Sequence, residues 1–284
     1  MYRQKLCVAI TGYGDMSETE QALMLKKVGF DGFAIDDCNL RSDVDGLVDL
    51  AKKENLIISS YHAPFNKSDD MWNPEEIGER ARKELLSCVE TCAKHEIPIM
   101  VTHAFLGDDY DFVSVEAGLD RFGSVAKRAG ELGVRLALEN TEGEQWLAVL
   151  MDKLSSEKSL GFCWDTGHEL CYNHGNDMAS LYSDKLIVTH LNDNLGIRDF
   201  DGNITWHDDL HLLPFDGITD WDSVGKRLAA SKFSNPLTFE LSVSGKPDRH
   251  ENDIYTEMGA QAYFTEAFKR ACRVAALKLR YERR

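Results

Sequence analysis

Short apolar runs alternate with longer amphipathic stretches eight times along the 284 residues. The runs are Leu6–Ile10, Gly32–Ile35, Ile57–Tyr61, Ile99–Thr102, Val134–Leu138, Gly161–Trp164, Leu186–Thr189 and Leu237–Phe239. Most are rich in Val, Ile, Leu and Phe and bounded by polar loops, the pattern of strands covered on both faces of a parallel sheet. Between them lie helical periods. Ser17 followed by Glu20 predicts a capping box opening a helix over Ser17–Lys27. Asn73 and Pro74 predict the N-cap and first position of a helix reaching Lys94. An apolar stripe through Ala260, Phe264, Ala267, Phe268, Ala271 and Ala275 predicts one last helix over Tyr255–Arg280.

Eight strand–helix units in a chain of this length predict an α/β fold, a single (β/α)8 TIM barrel, rather than a doubly wound sheet. No Gly/Pro/Ser linker interrupts the chain, so residues 1–284 are expected to form one domain. The active site is then expected at the carboxyl ends of the strands. Two connections, His62–Asn73 and His190–Asp220, are long, as functional or surface loops are.

Metal-binding side chains crowd those carboxyl ends. The third run leads into His62, the fourth into His103, the fifth into Glu139, the sixth into Asp165 and His168, the seventh into His190 and the eighth into Glu240. Asp209 and His211 follow in the long seventh loop. Alone, each has an ordinary structural explanation: Asp165 as a helix cap, Glu139 as a partner of Arg135. A barrel, however, converges six consecutive strand ends on one mouth, and five of the nine histidines fall in this set. Mixed imidazole and carboxylate donors suit a divalent metal such as Zn, Mn, Fe, Co or Mg. The four carboxylates Glu139, Asp165, Asp209 and Glu240 set the charge: one ion leaves −2, two leave zero, three leave +2. A neutral sugar suits the first two states and a phosphodiester the third.

Composition narrows the partners. Lys and Arg total 32 against 48 Asp and Glu, a net charge of −16 that disfavours phosphate backbones and anionic membranes. No apolar run approaches the ~20 residues of a membrane span. The apolar stretch near the start is too short for a secretory leader. The seven cysteines form no C-x-x-C pair, and Cys88 and Cys92 fall in a helical stripe with Ile77, Ala81 and Leu85. A reducing, cytoplasmic setting is the expectation.

These residues resemble the xylose isomerase-like TIM barrel superfamily, which includes sugar and sugar phosphate isomerases and epimerases and the class II AP endonucleases. The resemblance runs from the first strand to the last helix. In the ketose 3-epimerase branch one divalent ion is held by Glu, Asp, His and Glu of strands five to eight, matching Glu139, Asp165, His190 and Glu240. The Asp165–His168 D-x-x-H segment also resembles that branch, which implies a substrate contact for His168. The endonuclease branch holds three zinc ions, and its further ligands match His62, His103, His168, Asp209 and His211. Uncharacterised isomerase-like members share a segment seen here as His190–Asn194 and Asp209–Gly217. Phe215 departs from it, standing where such segments commonly have Gly.

The resemblance implies one to three ions and, first, a metal-dependent sugar or sugar phosphate isomerase or epimerase. Glu139 and Glu240 would be its acid/base pair, moving a proton next to a carbonyl while His168 stabilises the enediolate. Trp72 and Phe65 are candidates to stack on a sugar face and Arg198 to grip a polar group, against loop packing or solvation. The alternative is a multi-zinc phosphodiesterase of the endonuclease type. It is disfavoured because Asp36–Asp45 has one Arg against four Asp and the basic Lys269–Arg284 stretch lies on the outer last helix. A non-catalytic barrel is the third reading. The expected partner is a small carbohydrate, without nucleic acid or membrane; relatives are commonly dimers or tetramers, so a homo-oligomer is expected.

Overall fold

The computed structural model describes residues 4–38, 43–65, 67–107, 109–197 and 206–283. Eight strands form one parallel sheet: β1 Leu6–Ile10, β2 Gly32–Asp36, β3 Ile57–His62, β4 Ile99–His103, β5 Arg135–Glu139, β6 Leu160–Asp165, β7 Leu186–His190 and β8 Leu237–Phe239. Their order, β7-β6-β5-β4-β3-β2-β1-β8, is that of a barrel cut between β7 and β8. The cut is narrow. Leu191 N–H donates to Thr238 O at 2.9 Å, and the Thr189 hydroxyl accepts from Thr238 N–H at 3.1 Å, so a side chain completes the seam.

Around the barrel run helices α1 Glu18–Val28, α2 Val44–Glu54, α3 Glu76–Lys94, α4 Val115–Glu131, α5 Glu144–Lys153, α6 Thr166–Cys171, α7 Met178–Leu181, α8 Trp221–Ala230, α9 Asp253–Met258 and α10 Ala260–Glu282. None among the described residues is long and apolar enough to cross a membrane. The capping box forms as expected, with Ser17 and Glu20 satisfying each other's backbone. Two expectations are corrected. The last helix is two: Gly259, at φ +74° and ψ 152°, takes a backbone geometry nearly confined to glycine and breaks it. The helix expected at Pro74 begins at Glu76 instead. Asn73 closes the preceding 3-10 turn and accepts from Glu75 N–H, so its side chain is spent on a turn rather than a cap.

The barrel has two cores. The larger lies between strands and helices. A smaller one, Ile99, Val101, Ala137, Cys163, Ile187 and Val188, fills the interior of β4 to β7. Strand side chains repeat on one face every two residues. Val101 therefore points with His103, Ala137 with Glu139, Cys163 with Asp165, and Val188 with His190. The inner core is the floor on which these four donors stand.

Candidate metal centre

Six of the strands carry the site. His62, His103, Glu139, Asp165 and His190 are the final residues of β3 to β7, each one position beyond the apolar run visible in the sequence; Glu240 follows β8 directly. Their donor atoms fall into three principal groups, each within 4.8 Å: His62, His103 and Glu139; Glu139, Asp165, His190 and Glu240; and His168, Asp209 and His211. Glu139 joins the first two. Its Oε2 lies 3.1 Å from His62 Nε2 and 3.7 Å from His103 Nε2, while Oε1 lies 3.0 Å from His190 Nδ1 and 3.4 Å from His168 Nδ1. His190 Nδ1 is also 2.7 Å from Glu240 Oε2. In the third group Asp209 Oδ2 meets His211 Nε2 at 3.0 Å and His168 Nε2 at 3.4 Å.

The surroundings orient these donors. His62 Nδ1 donates to Ala63 O, His168 Nδ1 to Asn140 O and His211 Nδ1 to Glu240 O, at 2.8, 3.0 and 3.2 Å. A carbonyl accepts only, so each ring holds a proton on Nδ1 and turns Nε2 inward, where it holds a second proton in the metal-free chain and, once deprotonated, could ligate a cation. Asp165 accepts from His168 N–H and from Asn192 Nδ2, both at 2.7 Å. A Cβ added at Gly167 would sit 1.9 Å from Asn192 Oδ1. Gly167→Ala is therefore expected to push Asn192 off Asp165 and weaken metal binding by about 10–100-fold. Titrating the chelated variant with zinc checks this; unchanged affinity would show that Asn192 does not hold Asp165.

Charge and burial compete throughout the cluster. Burial alone would raise the Glu139 carboxyl, but the imidazoles of His190, His168 and His62 hold it well below the usual carboxylate range. Burial opposes the charged form of Glu240 too, and His190 overrides it, down to about 2. Asp165 goes the other way: burial lifts it to about 6 despite His168 and His211. Burial pushes His103 down to about 3, keeping it neutral, whereas Asp209 outweighs burial at His211 and raises it to about 9. His168 and His190 also lie well above the ordinary imidazole value: Asp165 and Asp209 overcome burial at His168, and Cys163 with Glu139 and Glu240 at His190. Protons thus occupy positions that a cation would take. Two buried donor atoms, Asp209 Oδ1 and His103 Nδ1, have no hydrogen-bond partner among the described residues. Donor chemistry, inward-facing Nε2 atoms and this orphaned oxygen all fit divalent cations.

Above the centre opens a cavity of about 480 Å³ bounded by Phe65, Tyr172, Trp206 and Lys246 among others. Phe65 stacks on His103 with ring centroids 4.6 Å apart. Trp72 is a correction: it is fully buried, donates from Nε1 to Ala104 O and packs on Phe122 and Trp146, leaving no face for a substrate. The 3-10 turn over Asp69–Trp72 turns it into the core. Arg198 lies outside the described residues. Phe215 adopts φ +76°, the backbone region its glycine counterpart would enter freely. Its N–H donates to Asp193 at 2.8 Å and its ring packs on Trp221 and beneath Arg273, contacts that offset the strain.

Sequence reasoning missed three residues. Cys163 sits with Glu139 and His190 in a further donor group, and its spacing of two from Asp165 was the available signal. Lys246 and Trp206 border the cavity from loops whose composition does not distinguish them.

Comparison with known proteins agrees with this architecture. The chain is 33% identical over 169 residues to the uncharacterized protein y4fM of Sinorhizobium fredii, covering 55% of this chain and 50% of that protein. It is 28% identical over 214 residues to a probable endonuclease 4 of Nitrosopumilus maritimus, covering 67% of this chain and 73% of the relative. The chain thus spans about half the length of the first relative. Among solved structures, the IOLI protein with a bound zinc atom superposes with a TM-score of 0.73 at 18% identity, over 96% of this chain and 98% of its own. An L-ribulose 3-epimerase superposes at 0.69 and 13% identity, over 99% and 96%. At such identities these two share the fold. The family match itself spans residues 23–262, and the chain belongs to the xylose isomerase-like TIM barrel family.

Proposed function

We propose that the chain is a multinuclear divalent-metal enzyme that cleaves a phosphate ester of a small polyhydroxylated molecule. The observation that carries this reading is that the imidazole and carboxylate donors alone form three groups, with buried Glu139 shared between two of them; the fourth group, Glu139, Cys163 and His190, overlaps these. Three divalent ions against four carboxylates leave the centre at +2, a charge that favours an anionic substrate. Such ions would supply Lewis acidity toward the phosphoryl oxygens and lower the pKa of attacking water.

The chain's own residues do the rest. Glu240, with 16% of its side chain exposed, borders the cavity and is placed to take a proton from water. His168, also at the cavity wall, would hold the third ion through Nε2 while Asn140 O keeps its Nδ1–H and fixes the ring. Phe65 offers a ring face to the apolar side of a sugar. The small cavity and the acidic Asp36–Asp45 segment favour a small ester over a DNA duplex, although the endonuclease 4-like relatives make abasic DNA a necessary control.

A second reading, isomerase or epimerase, is favoured by the second group, Glu139, Asp165, His190 and Glu240, which is complete on its own. There Glu139 and Glu240 would move the proton. Against it, Glu139 is fully buried and both its oxygens face imidazoles, leaving Glu240 as the carboxylate of that pair that reaches the cavity. The test incubates zinc- or manganese-loaded protein in D2O with sugar phosphates, ketoses and abasic-site DNA. Release of phosphate or ester cleavage is expected. Deuterium exchange next to a ketose carbonyl without any ester cleavage would overturn the proposal.

A further inference from the structure

Lys246 is the only lysine or arginine among the described residues bounding the cavity. Only 23% of its side chain is exposed, and its Nζ lies 3.9 Å from Asp209 Oδ2 and 5.3 Å from the centre of the Trp206 ring. That Asp209 oxygen is the one His211 and His168 approach in the third donor group. The placement is built. Arg249 N–H closes the turn on Lys246 O at 3.0 Å. The buried Arg249 guanidinium then staples this loop to the Trp206 segment through His207 O and Asp208, both at 3.3 Å, while Glu251 holds its Nε at 2.9 Å.

We propose that Lys246 serves the centre in two states, as the counter-charge of Asp209 when the third group lacks an ion and as the anion grip for substrate when that group is filled. The second half rests on the phosphate-ester reading above. A divalent cation held by His168, Asp209 and His211 takes the carboxylate oxygen that Lys246 faces and repels its ammonium. The Trp206 ring, half exposed and already within cation–π distance, gives the displaced ammonium a resting face on the cavity side. There it meets a phosphate or carboxylate carried by a ligand. The third ion and the anion are thereby coupled: filling the group creates the binding charge.

The test is Lys246→Met, which keeps the apolar stem and removes the charge, with Lys246→Arg as the rescue. Zinc is titrated calorimetrically into chelated protein, and inorganic phosphate into the zinc-loaded protein. In Lys246→Met the last zinc is expected to bind several-fold more tightly and phosphate about tenfold more weakly, the effect of losing one charge-assisted hydrogen bond; Lys246→Arg should restore phosphate binding. Unchanged zinc affinity overturns the counter-charge role, and unchanged phosphate affinity overturns the anion grip. Parallel weakening of both would mark Lys246 as structural and overturn the proposal. Loaded wild-type protein that binds no phosphate would sink the phosphate-ester reading together with the grip, while the zinc titration still decides the counter-charge role.

Discussion

Replacing Glu139 by Gln empties two of the three donor groups and removes turnover while the barrel stays folded. The reason lies in its position. Glu139 is the last residue of β5, has no exposed surface, and offers one oxygen to His62 and His103 and the other to His190. A carboxamide keeps the volume, so Ala137 and the inner core beneath are undisturbed. It removes the negative charge and turns a donor N–H toward imidazoles that need an acceptor or a cation. Loss of even an outer partner of a metal ligand costs ~10–100-fold in affinity, and a shared direct ligand is expected to exceed that range. Activity should fall by about 10³-fold or more, the upper end for one lost stabilising group. Circular dichroism should be unchanged, and elemental analysis should find only the ion of His168, Asp209 and His211. A variant that keeps all its metal would show that Glu139 is not the joint of the centre.

Removing the metals has the second large effect, on stability. A ligand at 1,000 times its dissociation constant adds about 4 kcal/mol to the folded state. With an unfolding entropy of about 2.1 cal/mol/K per residue, that amounts to about 7 °C per ion in a chain of 284 residues. The gap between loaded and chelated melting temperatures is also expected to depend on pH, with a sign fixed by the donors. His211 is raised to about 9 in the metal-free chain, so its contribution is full below the ordinary imidazole value and is lost as pH rises through about 9. Glu240 is lowered to about 2, so its contribution is present above the ordinary carboxylate value and is lost as pH falls toward about 2. The chelated protein should thus be most stable near pH 5 to 6.5 and weaken toward 9. Cations bind only deprotonated imidazoles, so loading strengthens over the same interval. The gap should widen from pH 6 to 9 in melting curves recorded with and without chelator. A gap that stays constant would contradict proton–metal competition at these donors.

Much of this centre was legible in the sequence because barrels impose simple rules. A parallel strand buried on both faces reads as an apolar run, and the residue that ends the run faces the mouth. His62, His103, Glu139, Asp165 and His190 stood out on that rule, and the structure extends the strands by one residue to include them. What failed to show depended on local backbone. The sequence predicts a last helix running from Tyr255 across Gly259, although the stripe that supports it begins at Ala260, and periodicity could not reveal a break made by a positive φ. Trp72 read as a mouth aromatic because its loop follows a ligand strand, yet a single 3-10 turn carries it into the core. Lys246 left no signal, since its place depends on Arg249 stapling two loops distant in sequence.

The division of the donors into three groups is tested most directly by counting ions. Protein reconstituted with zinc, desalted and analysed by mass spectrometry for metal per chain is predicted to hold three. One ion per chain, confined to Glu139, Asp165, His190 and Glu240, would contradict the account.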